Sequence, residues 1–357
     1  MIVLLVAACA DSAPLEVRDD AAVALVFQDA ARPAEDAETF ADALFPDPDA
    51  EATSADAAPL VRPPSLTYWL AGNAADVTPA SPGPALILMG GGRDVDEAYA
   101  WAAQRVPGGD AVILRTSGAD GYQDYLFTEI GGFDSVETML FDDRAEANDP
   151  WVMDRVRHAE LIYIAGGDQG LHLSMWSGTG LVAAVQEAWS HGATIGGTSA
   201  GEMILGTAIY SATAGTVVSA DVLADPLDRD VTLVPGIFAF PPLAGAILDS
   251  HFHQRDRFGR MIVFLLRAPT AQLALGIDEN TALLVGPDGS GEVVGSGAVY
   301  AVKKIAAPPA LAAPLNGVEL SRVALRRGEK IALPAATSAI TPITVRVTGG
   351  VISPDPY

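Results

Sequence analysis

The feature that most narrows the fold is the alternation of short, nearly uninterrupted apolar runs with segments of helical periodicity. Runs of strand length fall at 85–90, 111–115, 136–141, 161–165, 193–196, 246–250 and 273–277. Between several of them, as at 94–106 and 149–159, apolar residues recur at three- and four-residue steps, the spacing that lines one face of a helix. A strand without a polar alternate face has nothing to offer water and must be covered on both sides. The pattern therefore predicts an α/β fold, a parallel sheet with helices on both faces. In such sheets ligands gather at the carboxyl ends of the strands. After 281 the pattern changes to short β runs at 281–285, 298–303, 323–325 and 343–347, with turns at Pro287-Asp288-Gly289 and Thr348-Gly349-Gly350. Residues 306–357 are expected to form a small C-terminal β appendage to a main domain over 65–305.

With half of its 357 residues hydrophobic, the chain has enough apolar material for a large core, which excludes disorder throughout. Its net charge of −24, with lysine only at Lys303, Lys304 and Lys330, repels phosphate backbones and argues against a nucleic-acid partner. Cys9 is the single cysteine, so an intramolecular disulfide and a cysteine-based zinc site are excluded, and no metal or other cofactor is expected. The segment Val6-Ala7-Ala8-Cys9 resembles a bacterial lipoprotein signal box, and residues 1–9 read as a signal remnant. Lipidation of Cys9 would then be the only link to a membrane, placing the protein at the cell envelope or outside the cell. The apolar run is shorter than the about 20 residues that span a bilayer. It also lacks a basic n-region, which a start codon set too far downstream would explain. Residues 10–64, rich in Ala, Asp, Glu and Pro, read as an acidic tether.

Chemistry concentrates where a strand enters Gly197-Thr198-Ser199-Ala200-Gly201 and leaves as an apolar helix. Glycines two before and two after the serine permit a tight strand-to-helix turn that lifts the hydroxyl above the sheet edge. Ser199 is the candidate nucleophile, and a serine needs a base. Of the five histidines, His251 follows the apolar strand at 246–250 and should emerge at the same edge; His158 and His191 read as surface, leaving His172 and His253 as secondary candidates. An acid should orient the imidazole. Among those between Ser199 and His251, Asp221 is preferred and Asp249 comes next.

Two glycine clusters, Ala165-Gly166-Gly167-Asp168-Gln169 and Gly90-Gly91-Gly92-Arg93, also follow strands. Neither has the spacing of a dinucleotide-binding loop. Glycine lets backbone N–H groups approach a tetrahedral oxyanion. Gly167 and Ala200 are the expected oxyanion hole, with Asp168 and Gln169 facing the substrate. Downstream of the base, Arg255, Arg257 and Arg260 crowd into six residues of an otherwise acidic chain. Guanidinium forks hold carboxylates bidentately, so these arginines suit an acidic peptide substrate.

These residues, together with Arg115-Thr-Ser-Gly-Ala-Asp-Gly-Tyr, Ser135-Val-Glu-Thr, Asp249-Ser-His-Phe-His-Gln-Arg-Asp-Arg-Phe-Gly-Arg and Gly276-Ile-Asp-Glu-Asn-Thr-Ala-Leu, resemble the cyanophycinase and dipeptidase E group of serine peptidases. The resemblance runs in order from about Leu86 to Tyr300. It implies a fold related to class I glutamine amidotransferases, Ser199 as nucleophile and His251 as base, and Gln169, Asp249, Ser250 and the three arginines around the substrate. Cyanophycinases hydrolyse multi-L-arginyl-poly-L-aspartate to β-Asp-Arg dipeptides. This chain departs from them at Ser250, where they carry the longer glutamine, and at Glu202, where a small residue is usual. The expected activity is hydrolysis of aspartyl peptide bonds through a Ser199 acyl-enzyme. An α/β-hydrolase esterase and a non-catalytic binding module are the alternatives, and a homodimer is left open.

Overall fold

In the computed structural model, residues 59–307 and 309–357 are described. The signal box with Cys9 and the tether up to residue 58 lie outside the described residues.

The apolar runs form the parallel centre of a nine-stranded sheet, in the order Ser135–Leu140, Asp110–Arg115, Leu161–Ile164, Thr194–Thr198, Ala85–Met89. Their side chains divide by the period of two. Leu86 and Leu88 face the helices Pro150–His158 and Gly180–Ser190, whereas Ile87 and Met89 face the helix Asp96–Arg105. Both faces are thus buried, as near-continuous apolar runs require. Antiparallel strands close the sheet: Thr67–Gly72 on one side, and Thr281–Val285, Ser290–Gly295 and Lys330–Ala332 on the other.

The runs at 246–250 and 273–277 are strands too, but they belong to a second sheet of eight strands. There Ala246–Asp249 and Leu273–Ile277 pair in parallel. Local periodicity marks a strand without naming its neighbour, so the division into two sheets was not readable from the runs. Leu248 and Leu275 point into the core shared with the first sheet, and the helix Phe258–Arg267 covers the opposite face.

The C-terminal residues are β, as their pattern predicted, and they extend both sheets instead of making a separate one. Val318–Arg326 pairs with Ala298–Lys304 and with Ile343–Thr348, while Lys330–Ala332 joins the first sheet. Pro59–Tyr357 accordingly hold together as one unit. Tyr357 reaches back to the loop after Asp249: its hydroxyl accepts from Phe258 N at 3.0 Å and donates to Asp256 at 2.9 Å, and its ring stacks on His253.

Candidate active site

The strand Thr194–Thr198 ends at Ser199, whose backbone turns sharply at φ +54°, ψ −121° before the helix Ala200–Met203. Such a conformation is strained for a residue with a side chain and is tolerated where the surroundings fix it. Here Ser199 N donates to Met89 O at 3.1 Å, and Met203 N donates back to Ser199 O. Glycine flanks are needed for contact: a Cβ on Gly197 would come 2.5 Å from Gly201 O, and one on Gly201 would collide with the carbonyl of Ile164.

His251 leaves the strand Ala246–Asp249 two residues after its end, anchored by donation of its N–H to Gly90 O at 2.7 Å. The expected pairing is present: Ser199 Oγ lies 2.8 Å from His251 Nε2. The third group is not Asp221. His251 Nδ1 lies 2.6 Å from Glu279 Oε1, whereas Asp221 sits exposed on the helix Ser219–Ala224. A carboxylate only accepts, so the proton is on Nδ1 and the Nε2 lone pair faces the serine. Glu279 follows the strand Leu273–Ile277, which runs parallel to the strand leading to His251, so both residues emerge at one edge. Asp278 braces the turn by accepting from His253 N and Ala298 N.

Burial lowers the pKa of His251. The charges of Arg255 and Arg257 push it the same way, while the hydrogen bond to Glu279 works against them. The balance keeps the imidazole neutral, the state a general base needs.

A cavity of about 390 Å³ opens beside Ser199, lined among others by Gly167, Asp168, Gln169, Ala200, Ser250 and the three arginines. The predicted residues therefore come together, in different states. Arg260 is buried and committed: its Nε and Nη2 hold Asp249 at 2.8 and 2.6 Å. Arg257 Nη1 donates to Asp249 at 3.2 Å and to Ser250 O at 2.8 Å. Asp249, fully buried behind the pocket wall, cannot meet a substrate as expected; it is the counterion of two arginines. Arg255 is exposed at the cavity mouth with no ion pair among the described residues. Asp168 caps the helix Gln169–Trp176, accepting from Gly170 N and Leu171 N. No hydrogen bond from Gly167 N or Ala200 N to the protein is found among the described residues. Glu202 is wholly buried, with neither oxygen partnered. Burial, and next the charge of Asp249, push its pKa well up, so it is held protonated.

No cluster of three or more metal-binding side chains occurs among the described residues. None of their helices is long and apolar enough to cross a membrane.

Residues 132–291 match the model of peptidase family S51. The resemblance to the cyanophycinase and dipeptidase E group is thereby met. A cyanophycinase of Synechococcus elongatus is 32% identical over 208 residues, which is 56% of this chain and 61% of the relative. One of Geminocystis herdmanii is 29% identical over 178 residues, 50% of this chain and 61% of that one. The chain thus spans less than two thirds of the length of these curated relatives. Among solved structures, a peptidase from an acI-B1 Actinobacterium aligns with a TM-score of 0.49 at 21% identity, over 70% of this chain and 97% of that one. The family match covers Ser199, His251 and Glu279 together.

Proposed function

We propose that the protein is a serine peptidase in which Ser199, His251 and Glu279 perform acyl transfer on aspartyl peptides. The observation that carries this reading is the unbroken chain of hydrogen bonds from Ser199 Oγ through the imidazole to Glu279, at 2.8 and 2.6 Å. Ser199 Oγ attacks the scissile carbonyl while His251 Nε2 takes its proton, and Glu279 stabilises the imidazolium that results. The oxyanion forms beside Gly167 N–H and Ala200 N–H. As it collapses, the carbon–nitrogen bond breaks and His251 gives its proton to the departing amine. Water then attacks the ester by the same base, releasing the acid and restoring Ser199.

The choice of substrate follows from charge. Asp249, behind the pocket wall, is shared by Arg257 and Arg260, Asp168 lines the cavity as a second carboxylate, and Arg255 makes no ion pair among the described residues, so three guanidiniums meet two carboxylates. The surplus positive charge suits a carboxylate next to the scissile bond, as an aspartyl residue provides. Ser250, whose hydroxyl lies 3.4 Å from Arg257 Nη1, is shorter than a glutamine and cannot reach as far towards a substrate, so the reading does not require β-Asp-Arg dipeptide units.

The test is labelling with a fluorophosphonate followed by mass spectrometry of the modified peptide. Modification at Ser199, lost in Ser199→Ala together with turnover of Asp-containing peptides, is the expected result. Labelling at another residue, or full activity in that variant, overturns the mechanism.

A further inference from the structure

The arch of residues 166–168, which carries Gly167 N–H beside Ser199, is tied at both ends to His172. The His172 imidazole is fully buried and stacks on Trp176, with centroids 4.8 Å apart and 8° between planes. Its Nε2 lies 3.1 Å from Ala165 O, and because a carbonyl only accepts, Nε2 bears the proton. Nδ1 is then left to accept from the Thr116 hydroxyl at 2.7 Å. The backbone N–H of the same residue donates to Asp168 O at 3.0 Å. So the side chain pins the arch at 165, the main chain pins it at 168, and Thr116 fixes the imidazole to the end of the strand Asp110–Arg115. Burial brings the pKa of His172 down to about 4, so this single tautomer persists at neutral pH.

Within that frame Gly167 has φ +153°, and a Cβ there would come 2.9 Å from Ser117 Oγ. The direction of its N–H therefore depends on how the two ends of the arch are held. We propose that His172 is a positioning residue for acyl transfer: through the chain Thr116–His172–Ala165 it aims Gly167 N–H at the oxyanion. This rests on the reading of Gly167 and Ala200 as the oxyanion hole. A donor acts only if it meets the transition-state oxygen at about 2.7–3.1 Å. Ground-state binding in the arginine-lined pocket makes no such demand. Loss of the frame should slow the chemical step and leave binding alone.

The experiment measures saturation kinetics of fluorophosphonate labelling, separating the maximal rate from the half-saturating concentration, in the full chain. His172→Phe keeps the stack and removes both side-chain hydrogen bonds; Thr116→Val removes one. The expected result is a maximal rate down roughly tenfold to a hundredfold in His172→Phe, by analogy with loss of an oxyanion donor. Thr116→Val should show a smaller loss, with half-saturation within about twofold and the Thr116→Val melting temperature near wild type. If His172→Phe does not fold, Thr116→Val decides. Unchanged maximal rates in the folded variants overturn the proposal, as does a fall in rate and melting temperature accompanied by a rise in the half-saturating concentration. If the wild-type chain is labelled at Ser199 and the folded His172 and Thr116 variants are labelled at the same maximal rate, the role of His172 alone is lost. If the wild-type chain is not labelled at Ser199, the reading beneath it fails as well.

Discussion

Gly91 forms the wall against which the His251 imidazole lies: a Cβ on Gly91 would come 2.5 Å from both Cε1 and Nε2 of the ring. The neighbouring carbonyl of Gly90 accepts the His251 N–H, so one loop fixes both the backbone and the ring of the base. Gly91→Ala would meet two penalties. At φ +86° the new side chain costs about 1–2 kcal/mol of backbone strain, and the imidazole must shift away from Ser199. A displacement of about 1 Å in a catalytic group is worth about a hundredfold in rate. Steady-state kinetics of a folded Gly91→Ala should show that loss in kcat, with near-normal KM.

Glu279→Gln keeps the shape of the acid and removes its charge, so the imidazolium loses its stabilising partner and the ring its preferred tautomer. We expect kcat to fall by about 10⁴, the loss seen when the orienting acid of a serine triad is made neutral. Asp221→Asn should be silent in the same assay. Equal losses in the two variants would remove Glu279 from the mechanism.

Asp249 and Arg255 should separate stability from activity. Asp249→Ala leaves two guanidiniums without their buried counterion and should cost about 3–5 kcal/mol of stability, read by denaturant unfolding. Arg255→Ala touches no ion pair and should leave the unfolding midpoint unchanged. Its effect belongs to the substrate: loss of a charged hydrogen bond, about 1.5–3 kcal/mol, would lower kcat/KM for aspartyl peptides roughly tenfold to a hundredfold. Removing its charge also relieves one of the influences that lower the His251 pKa. The acid limb of kcat/KM should therefore move to higher pH in this variant.

Glu160, buried at the amino ends of the strands beside Asp110, has its pKa raised from 4.5 to about 7, first by burial. The folded protein keeps a proton there that the unfolded chain releases. Stability from this group is thus greatest below pH 4.5 and declines as pH rises to about 7, then levels off. The Glu160→Gln variant has no such proton to lose. Its stability relative to wild type should increase across that window and stay constant above it, as measured by urea unfolding at a series of pH values.

Much of this site is legible in the sequence because it depends on local constraint. The elbow at Ser199 needs glycines at fixed offsets, and His251 is announced by the apolar strand that delivers it. Glu279 escapes the chain-order pattern of serine, acid, base, because it lies after His251. The signal for it was present in the apolar strand 273–277, which ends just before Asp278-Glu279 as the strand 246–249 ends just before Ser250-His251. What periodicity cannot state is that these two strands are parallel neighbours. The same limit hid the fate of Asp249. An acid at a strand end resembles a site residue until its partners are known, and here they are Arg257 and Arg260 from the following turn and helix. His172, between Leu171 and Leu173, carried only its apolar flanks as a sign of burial.

Tyr357 gives the site a place in time. The turn bearing Arg255 and Arg257 is held by a hydroxyl about a hundred positions further along the chain, bonded to Phe258 N at a separation of 99 residues and to Asp256 at 101. Contacts so distant in sequence close late in folding, after the local helices and adjacent strands have formed. During synthesis from the N-terminus, Ser199, His251 and Glu279 can all have emerged while the arginine turn still lacks its brace. A ribosome-bound chain halted before the last strand would therefore hold Ser199 and His251 ahead of the arginine surface proposed to select a substrate.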